Sequence, residues 1–194
     1  MKTVLIKYLV CCSFALVLVG CVGRNFVRPA PGDFVLGKTT MSEITARFGT
    51  PFNKAELQKN GQKVVVLNYA FATHDWGSLK PAREQSFSFY QDKLVGYGFW
   101  SSFKNDNTDF DGTKVAQLKT NVTTRVEVEQ LLGPPGARCI YPVTPNQEEE
   151  EISYLYRQTR GVPFGVKIYT KSLFVIFNRQ GIVRDVEYKE VGEK

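Results

Sequence analysis

Few residues of this sequence have side chains that could bind a metal ion or react. His74 is the only histidine and Cys139 the only cysteine outside the first 21 residues, so neither a zinc ligand set nor a nucleophile–base pair has support. NTDFDG, residues 107–112, begins like a calcium loop, but the twelfth position is Leu118 instead of the bidentate glutamate. We expect no metal, no cofactor, no small-molecule substrate, no catalytic residue and no enzymatic activity.

Cys21 is the residue with the most specific predicted chemistry. It ends the sequence LVGC, which matches the lipobox of bacterial lipoproteins, and it follows a charged start and an apolar run of secretory type. That run is shorter than the roughly 20 residues that a spanning helix needs, which disfavours an uncleaved anchor. We therefore expect residues 1–20 to be a signal peptide. Cys21 would carry lipid, including palmitate, and hold the protein at the outer membrane, facing the periplasm.

The charge of the chain is mildly basic, with a formal net charge of +6. This net positive charge is compatible with a location beside an anionic membrane and is too small to indicate a nucleic-acid partner. The acidic run at residues 148–151 predicts a solvated loop, with a docking segment for a basic partner as the alternative.

One helix signature occurs twice. TTMSEITARFGTP, residues 39–51, is answered by TTRVEVEQLLGPP, residues 123–135. In each copy, Thr followed three residues later by Glu predicts a capping box, and Gly and Pro end the helix. The positions that carry this signature are Thr40, Glu43, Gly49 and Pro51 in the first copy and Thr124, Glu127, Gly133 and Pro135 in the second.

Strand-like segments rich in β-branched and aromatic residues follow each predicted helix. The sequence therefore predicts an α+β fold of two tandem repeats, each with one or two short helices packed on a three-stranded antiparallel sheet. The predicted boundaries are a signal peptide at 1–20, a tether at 21–36, a first repeat at 37–104, a linker at 105–112 and a second repeat at 113–194.

The lipobox, the capped helix closed by Gly-x-Pro and the strands that follow resemble the SmpA/OmlA (BamE) family of outer-membrane lipoproteins. In that family the module accompanies the machine that inserts β-barrel proteins. The second half matches from Thr113 to Tyr188, and the first half matches less completely from Gly37 to Tyr97. The resemblance implies a protein-binding module in outer-membrane protein assembly or envelope integrity, with barrel-assembly subunits as possible partners.

The assembly lipoprotein usually has a single copy of the module, whereas this sequence has two. In having two copies, the sequence is similar to a second family. β-Lactamase inhibitor proteins have two helix-plus-sheet repeats that form a concave binding face. This likeness implies an alternative function, inhibition of a secreted enzyme in the periplasm. A hydrolase acting on cell-wall or lipid material is a third, less favoured possibility.

Two aromatic clusters are the candidate protein-binding residues. Phe99 and Trp100 are adjacent, so in a strand their side chains point to opposite faces and one of them should leave the core. The second repeat has no such pair. Because exposed aromatic residues are typical of binding hot spots, we predict recognition by the first repeat. The candidates are His74, Trp76, Tyr97, Phe99 and Trp100.

Overall fold

The structure, a computed structural model, describes residues 25–73, 81–162 and 165–193. The predicted signal peptide, Cys21, His74 and Trp76 lie outside the described residues. The elements in chain order are α1 (Met41–Phe48), β1 (Asn53–Lys59), β2 (Gln62–Ala72), β3 (Ala82–Tyr90), β4 (Lys93–Ser101), a 3-10 helix (Gly112–Gln117), α2 (Arg125–Leu132), β5 (Ala137–Ile140), β6 (Glu150–Val162), β7 (Gly165–Phe177) and β8 (Val183–Val191).

All eight strands form one antiparallel sheet in the order β1 to β8. The predicted α+β class is confirmed, but the predicted three-stranded sheet in each repeat is wrong. Each half contributes four strands, and β4 pairs with β5 to join them. The extra strand of each half has no clear pattern in the sequence. β1 is a polar edge strand exposed along most of its length, and β5 has only four residues.

The repeated signature folds the same way twice. Thr40 and Thr124 each accept a hydrogen bond from the backbone N–H of the glutamate three residues on, and that glutamate accepts one from the threonine N–H, so both predicted capping boxes are confirmed. Both helices end at glycines with positive φ, 79° at Gly49 and 83° at Gly133. A tyrosine of the following long strand then donates to each glycine carbonyl, from Tyr69 at 3.1 Å and from Tyr154 at 2.9 Å.

Both helices cover the same face of the sheet, which we call the helix-covered face. Ile44 of α1 packs on one core cluster that includes Phe87 of β3, and Val128 of α2 packs on another that includes Val175 of β7. Because side chains alternate along strands, residues between these core positions point to the opposite face, which neither helix of the described residues covers.

Residues 25–36, the described part of the predicted tether at 21–36, pack against this core. Phe26 and Phe34 lie against Phe48, with ring centroids 6.1 Å apart in both pairs, and Phe34 is buried. Arg83, 4% exposed, donates to the Asn25 side chain at 2.8 Å and to the Phe26 carbonyl at 3.0 Å. The described part of the tether therefore belongs to the fold of the first repeat.

The second repeat contains an equivalent contact. Lys171, 5% exposed, pairs with Asp109 at 2.7 Å and donates to the Phe110 carbonyl. Asn25-Phe26 and Asp109-Phe110 precede the two capping boxes by the same number of residues, and Arg83 and Lys171 precede equivalent register shifts in β3 and β7. We call these contacts the Arg83 clamp and the Lys171 clamp. Residues 25 and 109 thus occupy equivalent positions relative to the two repeated helices.

Side chains from each half also hold the halves together. Arg28 donates to the carbonyls of Pro134 and Pro135, both at 2.9 Å, directly after α2. Thr108 bonds the Ser101 carbonyl of β4 through its N–H and the Leu155 carbonyl of β6 through its hydroxyl. These bonds satisfy backbone groups where the short β5 no longer separates β4 from β6.

Candidate functional site

The helix-free side of the sheet is concave. A cavity of about 300 Å³ is lined both by Lys59 at the end of β1 and by Asp185 and Glu187 of β8, so the two edges of the sheet curve towards each other. Asn60, in the turn after β1, donates to the carbonyls of Pro142 and Thr144, which lie in the β5–β6 connection. We call this side of the sheet the concave face. The β5–β6 connection closes one end of it.

A groove of about 490 Å³ lies on the concave face where the two repeats meet. Its floor consists of small residues on neighbouring strands: Ala70, Ser86, Gly98, Ala137 and Ser153. A Cβ added to Gly98 would lie 3.1 Å from the Ser86 hydroxyl and 3.2 Å from the Ala137 Cβ, so these strands are closely packed. The depth of the groove follows from the absence of large side chains on the floor.

Large side chains form the walls of the groove. Phe52 is 70% exposed and Phe174 is 39% exposed, and Trp100 stands on the wall between the repeats. The guanidinium of Arg157 lies 4.9 Å from the centre of the Trp100 ring and 4.0 Å from the Glu84 carboxylate. An apolar groove edged by aromatic rings and a charged pair has the composition of a protein-binding surface.

Phe174 also lines the smaller cavity beside the groove, where the half-buried Glu151 lies near the Cys139 thiol. The Cys139 thiol donates to the Glu151 carboxylate at 3.8 Å, and burial raises the pKa of both groups above their usual values. Cys139 is buried, and a buried thiol with a raised pKa is a poor nucleophile.

A third cavity, of about 640 Å³, adjoins the Lys171 clamp on the helix-covered side. The Tyr169 hydroxyl donates to Glu190, and that hydrogen bond is the main cause that raises the pKa of Tyr169 to about 12. Asp111 caps the 3-10 helix through Thr113, and Asp109 is paired with Lys171. The carboxylates of the calcium-like hexapeptide therefore make hydrogen bonds and ion pairs within the protein.

The structure separates the described candidate binding residues. Tyr97 and Phe99 lie on the helix-covered face, where Tyr97 packs 5.7 Å from the Phe34 ring and Phe99 is 5% exposed. Trp100 alone among them points into the groove. As the alternation predicted, one member of the Phe99–Trp100 pair is in the core and the other is not. A binding role remains a proposal for Trp100, whereas Phe99 is buried and Tyr97 is partly buried against the first core cluster.

Several groove residues carry no obvious signal in the sequence. Phe174 lies within SLFVIF, where it alternates with the buried Leu173 and Val175, so only the strand register reveals that it faces outwards. The floor could have been suspected from small residues at alternate positions of successive strands, such as Ser86 and Gly98. That pattern indicates a position where another surface approaches the sheet closely.

Within the described ranges, no group of three or more His, Cys, Asp or Glu side chains is arranged to hold a metal ion. Among the same residues, no helix has the length and apolar character needed to cross a bilayer.

Comparison with known families identifies the second half. Residues 110–187 match the family model of the outer membrane protein assembly factor BamE domain. These residues, which make up most of the second repeat, are similar to the BamE domain. The match begins at Phe110, within the Lys171 clamp, and continues into β8. The resemblance found in the sequence is therefore confirmed for the second repeat, including its strands on the concave face.

A solved structure from Streptococcus mutans, of a protein proposed to be a beta-lactamase inhibitor, is similar in fold. The alignment has 12% sequence identity and a TM-score of 0.43, and it covers 78% of this chain and 82% of that chain. Comparison with curated proteins gives no match.

Proposed function

We propose that this chain is a lipid-anchored outer-membrane lipoprotein that binds an envelope protein in the groove of its concave face. It would act without catalysis, facing the periplasm, in outer-membrane protein assembly or envelope integrity. The observation that carries this proposal is the groove itself, an apolar depression at the junction of the repeats with exposed aromatic walls.

The groove suits an apolar side chain presented by a protein partner. Its small floor residues leave room for an aromatic or branched side chain, and Phe52, Trp100 and Phe174 would bury area around it. Hot spots of interfaces combine such aromatic residues with a rim that excludes water. The Glu84–Arg157 pair lies beside Trp100 and can accept or donate hydrogen bonds at that rim.

The BamE-like second repeat supports the choice of partner class. The matched family is described as an outer membrane protein assembly factor, and β6 and β7 of the matched region supply Ser153, Leu155 and Phe174 to the groove. A barrel-assembly subunit is therefore the partner that we favour. Inhibition of a soluble periplasmic enzyme is the alternative, and the two differ in whether the captured protein belongs to a membrane complex.

Filling the groove tests the proposal. Ala137→Trp places an indole on the groove floor, and Val126→Trp is the matched control, because Val126 is 60% exposed on the solvent side of α2. We expect Ala137→Trp to abolish recovery of barrel-assembly subunits in a pull-down, while Val126→Trp and the native chain recover them equally. Equal recovery by all three, with melting temperatures unchanged, would contradict a role for the groove.

The lipid anchor has its own test. Cells expressing the native chain or Cys21→Ala would be labelled with a clickable fatty acid. We expect label on the native chain and none on the variant, because the thiol of Cys21 is the proposed acceptor of lipid. Full labelling of Cys21→Ala would end this part of the proposal without affecting the groove.

A further inference from the structure

The N-terminal segment of the described chain is fixed to the domain at three successive points. Arg83 holds the side chain of Asn25 and the carbonyl of Phe26, and Arg28 holds two carbonyls of the second repeat. Arg83 is itself fixed, since its guanidinium pairs with Asp106 at 2.8 Å and lies 4.2 Å from the centre of the Phe103 ring.

The distance between this fixed point and the proposed lipid is short. Only residues 22–24 separate Cys21 from Asn25. Four residue steps of fully extended chain span at most about 14 Å. An acylated Cys21 at the headgroup level would therefore keep Asn25 close to the membrane surface whatever conformation those residues adopt.

Asn25 lies at one particular end of the sheet. Arg83 pairs with Ser101 at the last position of β4, and the turn of residues 103–106 follows there. At this end Val27 is 70% exposed and Lys104 is exposed. An exposed apolar side chain and an exposed cation at the same end of the sheet suit the anionic headgroup region of a bilayer.

The opposite end of the strands is far from that point. The turn between β7 and β8, with the exposed Gln180, lies there. The nine-residue β3, which begins at the Asn25 end, extends for about 30 Å towards the opposite end. An anchor at the Asn25 end would thus direct the length of the strands, and the groove between them, away from the membrane.

We propose that the Arg83 clamp turns the acylated N-terminus into a short stem, so that the sheet end formed by Val27 and the 103–106 turn docks on the lipid surface. The inference rests on the proposed acylation of Cys21. It assigns a second interaction surface to the molecule, whose partner is a membrane, and leaves the concave face free for a protein.

Depth-dependent fluorescence quenching tests the docking. The acylated protein would be purified from cells, with Cys139→Ala as background, and labelled with an environment-sensitive fluorophore at Asn105→Cys or Gln180→Cys. Both positions are exposed residues in turns, at opposite ends of the strands. The protein would be reconstituted into vesicles of phosphatidylethanolamine and phosphatidylglycerol that contain a lipid-attached quencher.

We expect several-fold stronger quenching at position 105 than at position 180. A glycine–serine linker of twelve residues inserted before Asn25 adds roughly 20 Å of average reach and should remove most of that difference. Equal quenching at the two positions, or a difference that survives the linker, would overturn the proposal. An intact mass without acyl chains would overturn the anchor and the docking together and would leave the groove unaffected.

Discussion

The two repeats share one architecture, but the surroundings of their buried cations differ in exposure to solvent. Arg83 is 5% exposed in its side chain and its partner Asp106 is 15% exposed, whereas Lys171 is 6% exposed and its partner Asp109 is 36% exposed. The first clamp is enclosed by Phe103 and by the N-terminal segment, and the second borders an open cavity. Both repeats therefore bury a cation at an equivalent position, and the two cations differ in how far their surroundings exclude water.

Replacing the cation should destabilise the protein more in the Arg83 clamp than in the Lys171 clamp. Arg83→Met leaves the Asp106 carboxylate nearly buried without its partner, so we expect a loss of about 3 to 5 kcal/mol in the free energy of unfolding. Lys171→Met leaves the more exposed Asp109 in contact with water, and we expect about 1 to 3 kcal/mol. Urea unfolding measures both, and equal losses would show that the clamps are energetically alike.

Adjacent aromatic residues of β4 give the next contrast. Phe99→Ala should cost about 3 to 5 kcal/mol of stability, because the ring is buried on the helix-covered face. Trp100→Ala should cost less, about 1 to 2 kcal/mol of stability, because Trp100 is only partly buried and its ring lies over the Arg157 guanidinium. It should instead weaken partner binding by about 1 to 3 kcal/mol.

Thermal unfolding and a binding titration distinguish these two effects. A fall in the melting temperature of Trp100→Ala as large as that of Phe99→Ala would assign Trp100 to the core and remove it from the binding face.

The two capping boxes should respond equally, in contrast to the clamps. Thr40→Ala and Thr124→Ala each remove one side-chain acceptor at a helix start and should each cost about 0.5 to 2 kcal/mol. Denaturant midpoints of the two single variants measure this. A clear difference between them would show that one helix depends on its cap more than the other.

The smallest expected effect is on the pH dependence of stability. Hydrogen bonds from the Thr40 and Thr124 backbone lower the pKa of Glu43 and Glu127 below the ordinary value of 4.5. Because the folded pKa is the lower one, their contribution is present above pH 4.5 and is lost as the pH falls through the folded pKa. The Thr40 and Thr124 hydroxyls lower the same pKa values to a lesser extent. The double variant Thr40→Ala with Thr124→Ala removes these hydroxyl bonds and keeps the backbone bonds, so it should lose slightly less stability than the native protein between pH 5 and acid conditions. Unfolding midpoints over that range test this, and parallel curves would contradict it.

Features that depend on neighbouring residues in the chain could be predicted from the sequence. The capping boxes and the glycine helix ends are local, and both occur as their residues indicated. The packing of residues 25–36 could not be inferred from their Pro and Gly content, because Arg83, which holds Asn25 and Phe26, is distant in the sequence. The groove could not be predicted, because its floor depends on the register of five strands. The alternation of side chains along any one strand leaves that register undetermined.

Site-specific photocrosslinking in cells tests the central claim most directly. A photoreactive residue would replace Phe174, on the groove wall and 39% exposed, or Val126, on the outer side of α2 and 60% exposed. The account predicts crosslinks to an envelope protein, with barrel-assembly subunits foremost, from position 174 and none from position 126. Crosslinks to those subunits from position 126, with none from position 174, would contradict a partner bound in the concave face.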